Sequence, residues 1–352
     1  MSFNNLNSCF IFTEKDGRVI CCELSPVTLY SENCFVLLPY QNPQTKKPQP
    51  EFYKITAKKE IEIIPGIKDQ KPIALIPKTS KEEYIKKLIA LKEHIQHGNI
   101  YEINYCIEFF ADDAEIEPVL VFFKLNELSK APYSCLVKLN NEFIISASPE
   151  LFLKKEENIL YTKPIKGTAK RGNTKEEDEE LKNALYTNLK ERTENVMAVD
   201  VARNDLSQLA KKGSVSVNKL YNIETFETVH QMVSTVSCKL KENTSFEKII
   251  DATFPMASMT GAPKLRAMQL IDEFEDFERK NYSGAMGIID ENEDFTLAVN
   301  IRSIFYNQKT KRLSIAVGSA ITYLCEPEKE YDECLLKANA LLKALGAEIK
   351  KY

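Results

Sequence analysis

Nine cysteines are scattered through the 352 residues without a single C-x-x-C pair, and two of them, Cys21 and Cys22, are adjacent. An odd count without paired spacing argues against a disulfide framework or a cysteine-rich zinc site and fits free thiols in a reducing cytoplasm. No apolar run approaches membrane-spanning length, and the N-terminus lacks the basic-then-apolar pattern of a secretion signal. Basic clusters are missing too. Pairs such as Lys86-Lys87 and Lys211-Lys212 are isolated in a chain of net charge −4, which leaves no footprint for nucleic acid. No Pro/Gly/Ser-rich linker, internal repeat or low-complexity segment divides the sequence. Length alone would suggest about two domains. Without a compositional break, a single domain over residues 1–352 is expected, with a shortened β-rich N-terminal region of about 75 residues. These absences describe a soluble cytoplasmic protein that binds neither nucleic acid nor membrane.

What is present is a mixed pattern of strands and helices. Cys34 to Leu38 reads as a strand, followed by a Pro/Gln/Lys loop from Gln41 to Pro50 that is expected to be mobile. Ser80 and Glu83 form a capping box, Tyr84, Leu88, Leu91 and Ile95 an apolar stripe, and Gly98 a stop, so a helix is expected between them. Strands follow at Ile100 to Phe110, Cys135 to Leu139 and Phe143 to Ala147. One helix is expected to run through Leu181, Leu185 and Leu189 to Val196 and Val199. Another starts at Gly261-Ala262-Pro263, where proline in the first turn costs no hydrogen bond. Strands between Tyr282 and Ile321 precede a last helix from Pro327 to Leu345, stopped by Gly346. The order lacks regular βαβ alternation, which predicts an α+β fold.

Several residues carry candidate chemistry, each with a plainer alternative. Lys166, in Pro164-Ile165-Lys166-Gly167-Thr168, sits in an apolar, glycine-softened turn, and desolvation there would turn an amine into a nucleophile. A lysine in a solvated turn would look the same. Glu191 with Glu194, and Glu330 with Glu333, have i, i+3 spacing on expected helices, so each pair shares a face. Two such faces brought together would suit one magnesium ion; apart, they are solvated helix surfaces. Met259-Thr260-Gly261-Ala262 opens a helix with small residues, either an anion site or a plain cap. Arg302, expected on a strand, can grip a carboxylate bidentately. Gly318-Ser319-Ala320 would let backbone amides approach a ligand, and Lys337 lies one turn beyond Glu333. A surface arginine, tight strand packing and a solvated lysine are the corresponding alternatives.

Taken together, the motifs resemble those of the chorismate-utilising enzymes, which include the large components of anthranilate and aminodeoxychorismate synthases, isochorismate synthases and salicylate synthases. The resemblance spans roughly Ser80 to Leu345. It rests on Ser148-Pro149-Glu150, on Pro164 to Thr168 with Arg171, and on Asp200-Val201-Ala202-Arg203-Asn204-Asp205-Leu206. It continues through Thr260-Gly261-Ala262-Pro263-Lys264-Leu265-Arg266-Ala267-Met268, Tyr282-Ser283-Gly284 and Glu330-Tyr331-Asp332-Glu333. The family's fold, two packed β-sheets flanked by helices, is implied.

So are roles. Mg2+ held by Glu194 and Glu333, with Glu191 and Glu330 in support, would clamp the ring carboxylate of chorismate. Arg302 and the Gly318 backbone, with Tyr282 nearby, would take the second carboxylate, and Thr168, Thr260, Gly261, Ser319 and Lys337 would complete the substrate site. Glu150 would protonate the departing C4 hydroxyl, and Lys166 would attack C2 before ammonia enters at C4. Lysine in the Pro-Ile-x-Gly-Thr turn is similar to the aminodeoxychorismate synthases, where anthranilate synthases usually carry alanine. The chain shows no glutaminase motif, so ammonia would come from a glutamine amidotransferase subunit or from solution. It shows no lyase segment and no leucine-rich tryptophan motif either, so neither pyruvate loss nor tryptophan feedback is expected.

Departures from the family pattern mark the places to inspect. Glu102 stands where amine-adding members usually have glutamine and water-adding members lysine. It is either a catalytic carboxylate or an exposed position on a strand. Gln231 stands where a histidine is common, with His230 one place earlier as a second candidate or a satisfied buried histidine. Met256-Ala257 and Ala320 replace glycines, which predicts a tighter carboxylate loop. The same departures leave a chorismate-binding subunit without turnover as a competing expectation.

Overall fold

A computed structural model describes residues 6–14, 18–28, 33–41, 49–61 and 71–350. Most of the loop expected from Gln41 to Pro50 lies outside the described residues. Five strands come first: β1 (Ser8–Thr13), β2 (Val19–Val27), β3 (Cys34–Leu38), β4 (Glu51–Glu60) and β5 (Ile73–Pro77). Then follow α1 (Lys81–Gln96), β6 (Glu102–Ala111), α2 (Pro118–Ser129), β7 (Tyr133–Leu139), β8 (Glu142–Ser148), β9 (Leu151–Glu156), β10 (Ile159–Thr162) and β11 (Ile165–Lys170). The middle of the chain forms α3 (Lys175–Thr187), α4 (Leu189–Leu209), β12 (Ser216–Thr225), β13 (Val229–Lys239) and α5 (Phe246–Thr253). Last come β14 (Gly261–Ala262), α6 (Lys264–Phe274), β15 (Ala285–Ile289), β16 (Phe295–Val299), β17 (Ser303–Asn307), β18 (Arg312–Ile321), α7 (Pro327–Leu345) and β19 (Ala347–Ile349).

Local chemistry explains most element ends. The capping box of α1 is present, with Ser80 Oγ accepting from the Glu83 amide at 3.2 Å and Glu83 accepting from the Ser80 amide at 3.1 Å. Gly346 caps α7 in the left-handed region at φ +59°. The single helix expected across Leu181 to Val199 is instead two. Asn188 is extended, and its side chain accepts from the Glu191 amide at 3.1 Å, so it ends α3 and starts α4 as an N-cap. A side-chain acceptor competes with the helical backbone for its own donors, which is why asparagine favours such a break. The helix expected from Gly261 begins three residues later. Gly261 and Ala262 pair with β6, and Pro263 is the N-cap of α6.

Backbone hydrogen bonds link the strands of the described residues into one network, so strand pairing alone does not divide them into the two packed sheets expected, and every ladder except β5–β19 is antiparallel. The N-terminal strands are woven into the later ones: β1 pairs with β7 and β3 with β15. Strand β6 is buried along almost its whole length and pairs with β18 from Ile103 opposite Ile321 to Ala111 opposite Leu313. One apolar core packs α1, α2, α6 and α7 on this pair, and a second lies under α4 and α5. The candidate residues gather between these two cores.

Candidate active site

A pocket of about 580 Å³ opens between β11, β18, the first turns of α4 and the start of α7. The sequence around it is charged but not of one sign. Lys166, Lys170, Lys190, Arg302 and Lys337 line it together with Glu150, Glu191, Glu194, Glu330 and Glu333.

Lys166 is buried in the wall. The solvated-turn alternative is thereby excluded. Its ammonium donates to Glu102, itself 3 % exposed, so Glu102 is not an exposed strand position. Glu102 does not itself line the cavity but backs Lys166 from β6. Burial alone would depress the lysine, yet Glu102 and Glu194 outweigh it and hold the pKa above its ordinary value. Gly167, at φ +90°, makes this placement possible. A residue with a side chain would be strained at this φ, and its Cβ would crowd Glu191 Cβ and Leu185 Cδ1, each at 3.1 Å.

The four glutamates of the expected metal site reach one pocket from two helices. Glu194 and Glu330 are buried, and Lys190 bridges them, 3.1 Å from Glu330 Oε1 and 3.8 Å from Glu194 Oε1. Glu194 Oε1 has no hydrogen-bond partner, and burial pushes this carboxyl up to about 7, partly offset by Lys166. Glu191 is likewise raised by burial. At Glu333 burial is outweighed by Lys337, 2.7 Å away, so its pKa lies below the usual value. Among the described residues no three acidic, histidine or cysteine side chains sit close enough to form a ready metal cage. The donor set nevertheless fits a hard cation: an unpartnered buried carboxylate oxygen is present, and a cation, Lys190, already lies between the pairs.

Glu150 lies between β8 and β9 on the same pocket, and burial pushes it up to about 7 against the charge of Lys166. Tyr282 is buried at the pocket wall. Arg302 is not on a strand. It lies between β16 and β17 with φ +53°, and Nη1 donates to the Lys337 carbonyl at 2.9 Å. No ion pair involves it among the described residues, so its remaining donors can receive a carboxylate. Lys337 is held between Glu333 and the Gly318 carbonyl at 2.8 Å.

Gly318 and Ala320 of β18 and Thr168 of β11 line the pocket as expected. Ser319, between the two, points the other way because strand side chains alternate, and its hydroxyl meets Tyr84 at 2.9 Å in the core. Thr260 turns its hydroxyl onto the Met256 carbonyl at 3.0 Å, and Gly261 is consumed in the ladder with β6. The α6 start therefore stands outside the pocket, with Lys264 bound to Asp205 instead.

Four polar pocket residues were not singled out in the sequence: Asn104, Lys170, Lys190 and Ser258. Lys190 was legible as an i, i+4 partner of Glu194; nothing in the sequence pointed to the other three. Of the doubtful pair, His230 is a satisfied buried histidine, 3.0 Å from both Asp178 and Thr225. Gln231 lines the pocket with a buried, unpartnered Oε1.

This architecture is that of a known class of enzymes. The menaquinone-specific isochorismate synthase of Escherichia coli shares the fold, with a TM-score of 0.79 over 97 % of this chain and 89 % of that one at 14 % identity. A family model described as chorismate binding enzyme matches residues 28–343. The chain belongs to that family. It is 37 % identical over 294 residues to the chloroplastic aminodeoxychorismate synthase of Arabidopsis thaliana, covering 82 % of this chain and 32 % of that protein. It is 35 % identical over 279 residues to anthranilate synthase component 1 of Acetivibrio thermocellus, covering 79 % and 56 %. The chain thus spans between about a third and just over half of these curated relatives' length.

Proposed function

We propose that this chain is the large component of an aminodeoxychorismate synthase, turning chorismate and ammonia into 4-amino-4-deoxychorismate for p-aminobenzoate and folate synthesis. The observation that carries the reading is Lys166: a buried lysine in the wall of the pocket that also holds Glu150. Several relatives named for the same activity support it.

In this reading Arg302 and the Gly318 strand hold one substrate carboxylate. Glu191, Glu194, Glu330 and Glu333 would hold Mg2+, which supplies positive charge for the other carboxylate in an otherwise acid-rich corner. Lys166 first passes a proton to Glu102, since only the neutral amine is nucleophilic. It then attacks C2; the ring double bond shifts, the C4–O bond breaks, and the hydroxyl leaves as water with the Glu150 proton. Ammonia adds at C4, the bond to Lys166 breaks, and the new ammonium returns a proton to Glu150. Ammonia comes from a glutamine amidotransferase partner in the cell. The setting is the cytoplasm, which agrees with nine buried free thiols.

Anthranilate synthase is the second reading, favoured by the 35 % identical relative. Product analysis decides between them. Chorismate, Mg2+ and ammonium given to the purified chain should yield 4-amino-4-deoxychorismate; anthranilate as the main product refutes the first reading. Chorismate bound but never consumed would make the chain a binding subunit.

A further inference from the structure

Behind Glu150, on the side away from the main pocket, lies a second cavity of about 20 Å³. Glu150 and Ser258 line both cavities, while Asp205 and Ala202 of α4 border only the smaller one. Roughly 10–15 Å³ suffices for one water, provided that two to four polar groups receive it. The polar groups are there. Ser258 is 6 % exposed, and its Oγ has no hydrogen-bond partner. It lies near enough to Glu150 to favour the ionised carboxyl, though not in bonding geometry. Asp205 offers a carboxylate whose other contact is Lys264 Nζ at 2.5 Å.

We propose that this cavity is a water site, and that one water held by Ser258 and Asp205 donates a hydrogen bond to Glu150 and so makes Ser258 a positioning residue for the acid step. Three partners suit such a water: it would accept from Ser258 Oγ–H and donate to Asp205 and to one oxygen of Glu150, the usual number for a buried water. The outer oxygen of Glu150 keeps its proton facing the substrate. When that proton leaves with the C4 hydroxyl, a buried carboxylate remains, and the hydrogen bond from the water adds to the charge of Lys166 and the Ile165 amide in stabilising it. No outside proton source is needed, because the incoming ammonium returns the proton to the same group.

The inference rests on the proposed function for its catalytic meaning but not for its test. Infrared difference spectra at pH 6 give the C=O stretch of neutral Glu150, assigned by its loss in Glu150→Gln. Ser258→Ala removes the anchor, and Ala202→Val fills the cavity; thermal melts check that both are folded. Both should move the Glu150 band to higher wavenumber, the mark of a lost hydrogen bond. With chorismate, Mg2+ and ammonium, kcat should fall roughly tenfold with KM within about twofold. A band unmoved in the folded variants overturns the water site. A band that moves while kcat stays within twofold overturns the positioning role. A wild-type chain that turns nothing over, yet shows the band shift, refutes the proposed function and leaves the water site standing.

Discussion

Two lysine–glutamate pairs face each other across the pocket, and they differ in one respect. The Lys166–Glu102 pair is sealed, its side chains 8 % and 4 % exposed, whereas Lys190 beside Glu330 is 40 % exposed. A sealed pair has no water to replace either partner, so its geometry is set by the fold and removing one member strands a charge. A pair open on the lysine side can be exchanged for another cation at little cost. The pocket thus has one wall where charge is locked in place and one where it is replaceable. The first suits a reactive amine that must stay registered with C2, the second a divalent ion that comes and goes.

The comparison can be broken most decisively at the locked wall. Lys166→Ala should abolish formation of the 4-amino product, by about a thousandfold or more, while chorismate binding measured by calorimetry persists. Product formed at a normal rate would remove the nucleophile from the mechanism. Stability separates the two walls next. Glu102→Ala leaves Lys166 buried without a counter-charge and should cost about 3–5 kcal/mol in urea unfolding, against a smaller loss for Lys190→Ala, because solvent reaches the place of the half-exposed lysine beside buried Glu330. Equal losses would show that both pairs are structural.

The acid step gives a pH dependence. Burial pushes Glu150 up to about 7, and in the proposed mechanism it is the neutral form that serves as the acid, so kcat should fall as pH rises through about 7. The same shift sets a stability trend: the folded chain holds a proton that the unfolded chain releases near 4–5. Stability should therefore be highest below the unfolded value and decline as pH rises toward 7. A kcat profile flat from pH 6 to 8 would discard Glu150 as the acid. The smallest effect belongs to the open wall. The proposed Mg2+ site would need Glu194 ionised, so Mg2+ affinity should rise up to tenfold per unit as pH approaches about 7. Lys190→Ala should tighten Mg2+ a few-fold further, and calorimetry that shows weaker binding in this variant would reverse the role given to Lys190.

What could be seen in advance was whatever depends on neighbours in sequence. The capping box of α1, the ends of α7 and the two i, i+3 glutamate pairs are local patterns, and each lies where the spacing predicted. The break at Asn188 was missed because leucines run through it at helical spacing, and one side-chain acceptor decides the matter. The direction of the Ser319 side chain was hidden for a different reason. On a strand, neighbours face opposite ways, and only register tells which face meets the pocket. Arg302 in the left-handed region, and the burial of Glu102 against a lysine 64 positions away, depend on contacts that no local pattern encodes.

The pairing of β6 with β18 has a consequence for how the protein is made. Ile103 finds its partner only at Ile321, 218 positions later, and the glutamates of α7 come later still. Closing so long a loop is slow, and during synthesis it has to wait until Ile321 has been made. The Lys166 side of the pocket therefore leaves the ribosome long before its counterpart and cannot trap a substrate prematurely. Chains interrupted anywhere before the last helix would be silent rather than partly active.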